Sequence, residues 1–270
     1  MSQNEHDQGI AWQLGVWDGM AETYQQEIDS RFAPIIELLL KHADLQSGET
    51  VLDLGTGTGA VALAASEYVG DSGSILAIDI SSEMLAIAQA RGHSREITNI
   101  EYKEGRGESL PAEHHSQNAV LASLSLMYVI DRAAAASEIA RVLLPQGRFI
   151  GVVWAGPEDT DIVKFQQTAG SFAPKPPVEG VGPGSMADLT SFMDQLAAAG
   201  LETYAEVAET EFTYPNFDAA WAALAAVTTA KLDVAVQVEA KKAVQNLMWP
   251  SGDAERTFRN KIQIITAVKP

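Results

Sequence analysis

Cysteine is absent from this chain of 270 residues. Its absence excludes disulfide bonds, zinc–thiolate sites and cysteine nucleophiles. Histidine is scarce too, and none of the five residues is spaced with carboxylates in the way that metal ligands are: His6, His42, His93, His114 and His115. We therefore expect no metal site.

Positive charge is also in short supply. Lysine and arginine together number 18 against 36 acidic residues, which gives a net charge of −18. A field of that sign repels nucleic acid and anionic membrane surfaces. The one basic pair that stands out, Lys241-Lys242, is typical of a solvated helix face. We expect no nucleic-acid partner.

Long apolar runs are missing. No stretch reaches the roughly 18 consecutive apolar residues that a transmembrane helix needs, so we expect no membrane span. The polar, acidic start from Met1 to Gly9 lacks the basic and apolar regions of a secretory signal. These absences predict a cytoplasmic protein.

Strand and helix patterns alternate along the chain. Short apolar runs predict seven strands, at 50–54, 74–79, 100–104, 119–123, 147–154, 205–214 and 262–268. Helical patterns lie between and around them, at 10–45, 60–69, 81–90, 133–143, 162–169, 187–199 and, as two helices, 217–247. This order predicts an α/β fold whose seven-stranded, mostly parallel sheet carries helices on both faces.

Three segments follow from this pattern. Residues 1–45 are expected to form an N-terminal helical lid, and residues 46–155 a cofactor-binding core. Residues 156–270 complete the sheet, and helices inserted at about 157–200 and 217–247 are expected to cover a substrate. A ligand is expected at the carboxyl ends of the strands.

A glycine-rich loop joins the first strand to the next helix. The stretch Val51-Leu-Asp-Leu-Gly-Thr-Gly-Thr-Gly-Ala60 satisfies the dinucleotide pattern G-x-G-x-x-G/A, and Asp79 follows about 20 residues later. Such glycines allow the backbone to approach a ligand closely at a helix N-terminus. The glycines alone do not distinguish one nucleoside cofactor from another.

Asp53, just before the loop, favours one kind of ligand. Its carboxylate would repel a pyrophosphate, whereas it suits an ammonium group such as that of S-adenosylmethionine (SAM). Asp79 can accept hydrogen bonds from ribose hydroxyls, which either ligand offers. A turn-forming role for Asp53 and a nicotinamide or flavin site remain as alternatives.

An ordered series of motifs resembles the class I SAM-dependent methyltransferases, in particular the branch with quinone-biosynthesis and natural-product enzymes. The motifs are Val51–Gly59, Ala77–Ser81, Gly105–Pro111 and Glu138–Arg148, within about residues 45–155. The resemblance implies a Rossmann-like sheet with helical lid additions. It also implies SAM as cofactor, S-adenosylhomocysteine (SAH) as product and a small-molecule methyl acceptor.

The resemblance also implies roles for individual residues. Those expected to bind the cofactor are Trp17, Tyr24, Asp53, Gly55, Thr56, Gly57, Gly59, Asp79, Ile80, Met84, Arg106, Gly107 and Ser123. Two positions depart from the family pattern. Arg106 stands where an aspartate is usual, and an arginine cannot accept a hydrogen bond from the adenine amino group. Glu108 or a backbone carbonyl is the alternative acceptor; without one, selectivity for adenine rests on packing. Gln117-Asn118 replaces a phenylalanine–aspartate pair at the fourth strand.

Methyl transfer from a sulfonium is an in-line displacement that depends on orientation and exclusion of water. A general base is needed only if the acceptor must lose a proton, and the candidates are Tyr128, His114 and Asp131. His114 also fits an exposed loop, and Asp131 fits a helix cap. Trp154, Trp221 and Tyr128 are expected to contact an apolar or aromatic acceptor, with core packing as the alternative.

Other functions remain open. The charge of −18 argues against an RNA methyltransferase, although a protein substrate is not excluded by it. A SAM-binding protein without methyl transfer and a nicotinamide oxidoreductase are further alternatives. The sequence is compatible with a homo-oligomer and does not identify the acceptor.

Overall fold

The segments predicted as strands form one sheet in the computed structural model, which describes residues 3–229, 232–250 and 252–270. The strands are β1 (Thr50–Leu54), β2 (Ser74–Asp79), β3 (Ile100–Glu104), β4 (Gln117–Ser123), β5 (Leu143–Trp154), β6 (Glu202–Tyr214) and β7 (Arg256–Val268). Their order is β3-β2-β1-β4-β5-β7-β6. β7 runs antiparallel to β5 and β6, whereas the other pairs are parallel. The predicted seven-stranded, mostly parallel sheet is confirmed.

Apolar side chains explain why β1 and β4 lie at the centre of the sheet. Val51 and Leu52 are fully buried, as are the four residues from Ala119 to Ala122. Strands that are buried on both faces read as continuous apolar runs instead of alternating ones. β1 and β4 are therefore the central strands of the sheet, and the other elements pack around them.

Helices pack against this sheet. They are α1 (Gln3–Thr23), α2 (Ala33–Ala43), α3 (Ala60–Val69), α4 (Ser82–Ser94), α5 (Arg132–Val142), α6 (Asp161–Gly170), α7 (Thr190–Ala198), α8 (Phe217–Leu224), α9 (Ala226–Thr229) and α10 (Val234–Met248). A π-helical turn (Tyr24–Ile28) and a 3₁₀ turn (Asp29–Phe32) join α1 to α2. The predicted cap of α4 is confirmed, because the Ser81 hydroxyl accepts a hydrogen bond from the Met84 amide.

The last two strands are longer than the sequence predicts. β6 begins at Glu202 instead of Ala205, and β7 begins at Arg256 instead of Ile262. The two strands pair with each other over their whole length. Backbone pairing continues where polar side chains interrupt the apolar alternation, so hydropathy underestimates both strands.

The cover helices also differ in detail from the prediction. The region predicted as two helices between Phe217 and Leu247 contains α8, the short α9 and α10, while residues 230 and 231 lie outside the described part of the chain. Within the described ranges, no helix combines the length and apolar content needed to cross a bilayer. The division into lid, core and cover stays a prediction.

The topology fixes where a ligand can bind. The chain leaves β1 towards β2 and β3 and then returns to β4 on the opposite side of β1. Helices on the two sides of such a reversal diverge and leave a crevice at the carboxyl ends of the strands. In this chain the crevice opens between the loops that follow β1 and β4.

Candidate functional site

A cavity lies at the carboxyl ends of β1, β2, β3 and β4. The empty space within it is about 800 Å³ with the open mouth included. Most of the residues predicted to bind a cofactor line it: Trp17, Tyr24, Gly55, Gly57, Asp79, Ile80, Met84, Arg106, Gly107 and Ser123. Asp53, Thr56 and Gly59 do not line it.

The glycine loop shapes the floor of the cavity. Gly55, Gly57 and Gly59 have φ angles of 72°, 53° and 86°, in the left-handed region that favours glycine. A Cβ on Gly55 would lie 2.4 Å from the Cβ of Ser125. A Cβ on Gly57, by contrast, would meet no protein atom within 4 Å. Gly55 is thus needed for packing, whereas Gly57 leaves room for a ligand.

Asp79 ends β2 and forms part of the cavity wall. Its Oδ2 accepts a hydrogen bond from the Gly57 amide at 2.8 Å, and its Oδ1 accepts one from the Ser81 amide at 3.0 Å. These bonds fix the carboxylate while leaving each oxygen a second lone pair for a ligand hydroxyl. Burial raises the pKa of Asp79 above its usual range, and the charge of Asp18 adds to this effect.

Asp53 lies behind the glycine loop and is fully buried. Thr56 Oγ1 donates a 2.6 Å hydrogen bond to Asp53 Oδ2, while Oδ1 has no hydrogen-bond partner within the described ranges. Burial, opposed by the Thr56 hydrogen bond and assisted by the charge of Asp79, raises the pKa of Asp53 to about 7. Asp53 does not line the cavity, and its contact with a ligand ammonium group stays a prediction.

Helix α1 closes one side of the cavity. The Ser81 hydroxyl donates a 2.6 Å hydrogen bond to Asp18, and Gln13 Nε2 donates one of 2.6 Å to the Tyr128 carbonyl. The Trp17 and Tyr128 rings meet edge to face with centroids 4.8 Å apart. The predicted lid segment thus contacts both the β2 end and the loop after β4.

The loop after β4 contains an unusual backbone conformation. Leu124 has a φ of 55° and is buried, an arrangement that costs a non-glycine residue roughly 1–3 kcal/mol. Its amide donates to the Val152 carbonyl at 2.8 Å, and the next hydroxyl, of Ser125, donates to the Leu54 carbonyl at 2.6 Å. These bonds hold the loop against the glycine turn, so Ser123 and Ser125 both line the cavity.

Of the three candidate bases, only Tyr128 lines the cavity. Burial raises the pKa of its hydroxyl well above the usual range, so the hydroxyl stays protonated near neutral pH. Asp131 caps α5 by accepting a hydrogen bond from the Ala134 amide at 3.0 Å. His114 is exposed in the turn before β4, at the amino-terminal end of that strand and so at the end of the sheet away from the cavity. The helix-cap and exposed-loop interpretations of these two residues are confirmed.

Trp154 and Trp221, predicted to contact a substrate, do not line the cavity. The Trp154 ring packs against Phe32 and Phe212, with centroids 5.7 and 6.5 Å away. Phe32 lies between Trp154 and the lining residue Tyr24. Trp221 packs against Phe165 instead. Both tryptophans take part in aromatic packing outside this cavity, and their contact with a substrate stays a prediction.

Two lining residues, Gln13 and Ser125, were not singled out from the sequence, whereas Glu108, considered as an acceptor for the adenine amino group, does line the cavity. Glu108 Oε1 accepts hydrogen bonds from the amides of Ile130 and Asp131 at 3.1 and 3.3 Å. Its position in the third motif was a usable signal. Gln13 carried none, because its role depends on how α1 folds back over the sheet.

Residues 52–151 match the sequence model of a methyltransferase domain. This region is a methyltransferase domain. The match spans β1 to β5, so it includes the glycine loop, Asp79 and the loop after β4. The family resemblance inferred from the motifs is confirmed for this domain.

Individual proteins resemble the same region. The methyltransferase YcgJ of Bacillus subtilis is 31% identical over 145 residues, which cover 54% of this chain and 56% of YcgJ. The demethylmenaquinone methyltransferase of Oceanobacillus iheyensis is 31% identical over 118 residues, covering 44% of this chain and 50% of that protein. The chain therefore spans about half the length of the relatives it matches.

Solved structures share the fold over a longer range. The crystal structure of YcgJ superposes with a TM-score of 0.64 at 20% identity, covering 87% of this chain and 97% of YcgJ. A geranyl diphosphate C-methyltransferase of Streptomyces coelicolor, solved with SAH, superposes with a TM-score of 0.55 at 16% identity. That superposition covers 88% of this chain and 79% of the enzyme. The methyltransferase domain thus lies within a sheet of the same architecture.

Proposed function

We propose that this chain binds SAM in the cavity and transfers its methyl group to a small apolar or aromatic metabolite. The observation that carries the proposal is the pairing of Asp79 with Gly57. The carboxylate is held by the loop amide and faces a cavity in which Gly57 leaves open space. Ribose hydroxyls complement such a carboxylate, because they donate hydrogen bonds.

Other residues in and around the cavity also fit the remaining parts of SAM. Ile80 and Met84 offer apolar contacts to the base, next to the carboxylate that would hold the ribose. The glycine loop would hold the methionine portion. Behind the loop, Oδ1 of Asp53 has no partner within the described ranges, and the carboxyl group would supply negative charge near the ligand's ammonium group when it is ionised. Asp53 acts in this proposal through the loop and not by contact.

The relatives support the acceptor class. The matching demethylmenaquinone methyltransferase is named for a small-molecule substrate. The net charge of −18 disfavours a nucleic-acid substrate. A small-molecule acceptor is thus the proposal, and a cytoplasmic location stays a prediction.

SAM supplies, when bound, a methyl group on an electrophilic sulfonium. The chain's own contribution is to orient the reactants and exclude water. Trp17 and Tyr128 close the cavity on the side of α1, while Ser123 and Ser125 line the end of β4. Because the Tyr128 hydroxyl is held protonated, we favour an acceptor that needs no strong base, such as a tertiary amine, an electron-rich carbon or an already ionised oxygen.

Calorimetric titration with SAM, SAH and NADH tests the cofactor, using the wild type, Asp79→Ala and the control Asp71→Ala. Asp71 is an exposed carboxylate in the turn before β2, so its removal repeats the charge change outside the cavity. We expect SAM and SAH to bind to the wild type and the control but not to Asp79→Ala. Binding of NADH without SAM would instead identify the site as a dinucleotide site.

Methyl transfer requires a separate measurement. Incubation with SAM labelled in its methyl group and a panel of quinones, phenols and tertiary amines should yield a labelled small molecule and SAH. If SAM binds but neither product forms with any acceptor or with protein, the chain is a SAM-binding protein without methyl transfer. Label on protein or RNA would identify a macromolecular substrate.

A further inference from the structure

Gln13 is held at one end of its amide and leaves an acceptor at the other. The residue is buried on α1 and lines the cavity. Its Nε2 donates a 2.6 Å hydrogen bond to the Tyr128 carbonyl, and this partner fixes the orientation of the amide, because a carbonyl oxygen can only accept. Among the residues that the structure describes, none donates to Gln13 Oε1. Buried polar groups normally have a partner, so this oxygen is suited to a donor on a ligand.

The Tyr128 hydroxyl is a donor at the same cavity. Burial raises its pKa, so the hydroxyl keeps its proton near neutral pH. The edge-to-face contact with Trp17, at 4.8 Å between ring centroids, holds the ring in place. Within the described ranges the hydroxyl makes no hydrogen bond. Gln13 and Tyr128 therefore leave one acceptor and one donor available to a ligand.

The position of Gln13 along α1 places this pair on the β4 side of the cavity. Asp18, on the same helix, accepts a 2.6 Å hydrogen bond from Ser81 just after β2. Gln13 lies about 7.5 Å from Asp18 along the helix axis, at a rise of about 1.5 Å per residue. It bonds there to the loop after β4, and β1 separates β2 from β4 in the sheet. The ribose assigned to Asp79 is thus on one side of the cavity, and Gln13 with Tyr128 is on the other.

We propose that Gln13 and Tyr128 are specificity-determining residues that select a methyl acceptor carrying both a hydroxyl group and a second, accepting oxygen. This inference rests on the proposed function and narrows its acceptor class. The hydroxyl of the acceptor donates to Gln13 Oε1, while the Tyr128 hydroxyl donates to a carbonyl or ionised oxygen elsewhere on the same molecule. Hydroxylated aromatic ketones and lactones meet both requirements. A site built in this way rejects analogues that leave its polar groups unpaired.

Calorimetry on the SAH-loaded protein tests this recognition without depending on turnover. The probes for Gln13 are para-hydroxyacetophenone and umbelliferone, each compared with its methyl ether, which has lost the hydroxyl donor. The probe for Tyr128 is para-ethylphenol, which keeps the hydroxyl of para-hydroxyacetophenone but lacks its carbonyl oxygen. The variants are Gln13→Leu, Tyr128→Phe and the control Gln8→Leu, at an exposed position on the same helix. Thermal unfolding checks that each fold is retained, and Gln13→Met provides a smaller change should Gln13→Leu fail to fold.

We expect the wild type and Gln8→Leu to bind the hydroxyl probes at least about tenfold more tightly than their ethers. Gln13→Leu should abolish this preference, because the accepting oxygen is gone. Tyr128→Phe should instead abolish the preference for para-hydroxyacetophenone over para-ethylphenol. A purely structural role of Gln13 in holding α1 would weaken the binding of both members of a pair alike and leave the ratios unchanged.

Equal binding of hydroxyl probes and ethers by the wild type, or ratios unchanged by the substitutions, overturns the inference while leaving the proposed function intact. A wild type that binds SAH but none of the hydroxyl probes also overturns it. A loss of SAH affinity in Gln13→Leu with unchanged probe ratios assigns Oε1 to the cofactor and overturns the inference as well. Failure of the wild type to bind SAH overturns the proposed function itself.

Discussion

Thr56 donates a hydrogen bond of 2.6 Å to Asp53 at a position where the carboxylate is fully buried. The bond satisfies Oδ2, whereas Oδ1 has no partner within the described ranges. A buried carboxylate with one unsatisfied oxygen favours its neutral form. The residue that the sequence connects with a ligand ammonium thus lowers the stability of the empty protein when it is ionised.

Asp53→Asn should stabilise the empty protein at alkaline pH. Burial raises the pKa of Asp53 from 3.8 to about 7, so the folded protein binds this proton more tightly than the unfolded chain does. The stabilisation from the neutral carboxyl is fully present below pH 4 and is lost as pH rises through 7. Asparagine has no proton to lose and should escape this loss.

Chemical denaturation at pH 5 and pH 8 measures the effect. We expect the free energy of unfolding of Asp53→Asn, relative to that of the wild type, to increase by about 2–4 kcal/mol from pH 5 to pH 8. Each pKa unit corresponds to about 1.4 kcal/mol. Asp71→Asn, at an exposed position, should show no such pH-dependent gain. A difference between Asp53→Asn and the wild type that stays constant with pH would contradict the assignment.

Gly57→Ala should remove ligand binding without unfolding the protein. The left-handed φ of 53° costs alanine roughly 1–2 kcal/mol, but the added Cβ meets no protein atom within 4 Å. The methyl group would instead enter the space that we assign to the cofactor. Calorimetry should show at least about a tenfold loss of SAH affinity, which corresponds to about 1.4 kcal/mol.

Alanine substitutions at two other glycines distinguish backbone strain from filling of the cavity as the cause of a lost SAH affinity. Gly200 has a φ of 90° and open space around it, so Gly200→Ala should cost similar stability and leave SAH binding unchanged. Gly55→Ala should unfold the site, because its Cβ would lie 2.4 Å from Ser125 Cβ. Equal loss of SAH affinity in Gly200→Ala and Gly57→Ala would show that strain, and not occupancy of the cavity, is responsible.

Tyr128→Phe tests whether a protonated hydroxyl takes part in the chemistry. Burial raises the pKa of this hydroxyl, so it cannot serve as a base near neutral pH, and phenylalanine retains the edge contact with Trp17. With an acceptor found in the screen, we expect the pH profile of kcat to keep its shape and kcat to fall by less than about tenfold, well below the effect of removing a general base. Loss of an ionisation from the profile would identify Tyr128 as a base.

Local sequence rules predict the core because its signals are local. The strand Thr50–Leu54 and the helix Ala60–Val69 have the predicted bounds, since a continuous apolar run and a glycine turn define each. The full extent of β7 was missed, because antiparallel pairing with β6 continues through its polar residues. Pairing partners far apart in the chain are not encoded in a short window of sequence.

In the site, too, residues set by local sequence line the cavity as predicted, whereas residues whose surroundings come from distant parts of the chain do not. Asp79, Gly55 and Gly57 were found from their spacing, since the turn itself demands these residues. Trp154 was predicted to contact a ligand from its place at the end of β5, but Phe32 from the distant segment before α2 covers it. Tertiary packing by the N-terminal region therefore decides which predicted residues reach the cavity.

The contact between Asp18 and Ser81 should control how long a ligand stays bound. Ser81 donates to Asp18 at 2.6 Å and also caps α4 by accepting from the Met84 amide. Asp18→Ala removes the contact between α1 and α4 and a charge that raises the pKa of Asp79, whereas Ser81→Ala removes the contact and the cap. We expect Asp18→Ala to accelerate SAH dissociation roughly fivefold, as for a lost hydrogen bond worth about 1 kcal/mol, with little change in stability. Ser81→Ala should add a stability loss of about 1 kcal/mol from the missing cap.

Stopped-flow dissociation measures the rate, and Glu22→Ala, at an exposed carboxylate on the same helix, is the control. An unchanged rate in Asp18→Ala would mean that α1 covers the cavity without holding the ligand, and that Gln13 and Trp17 are sufficient to keep the helix closed.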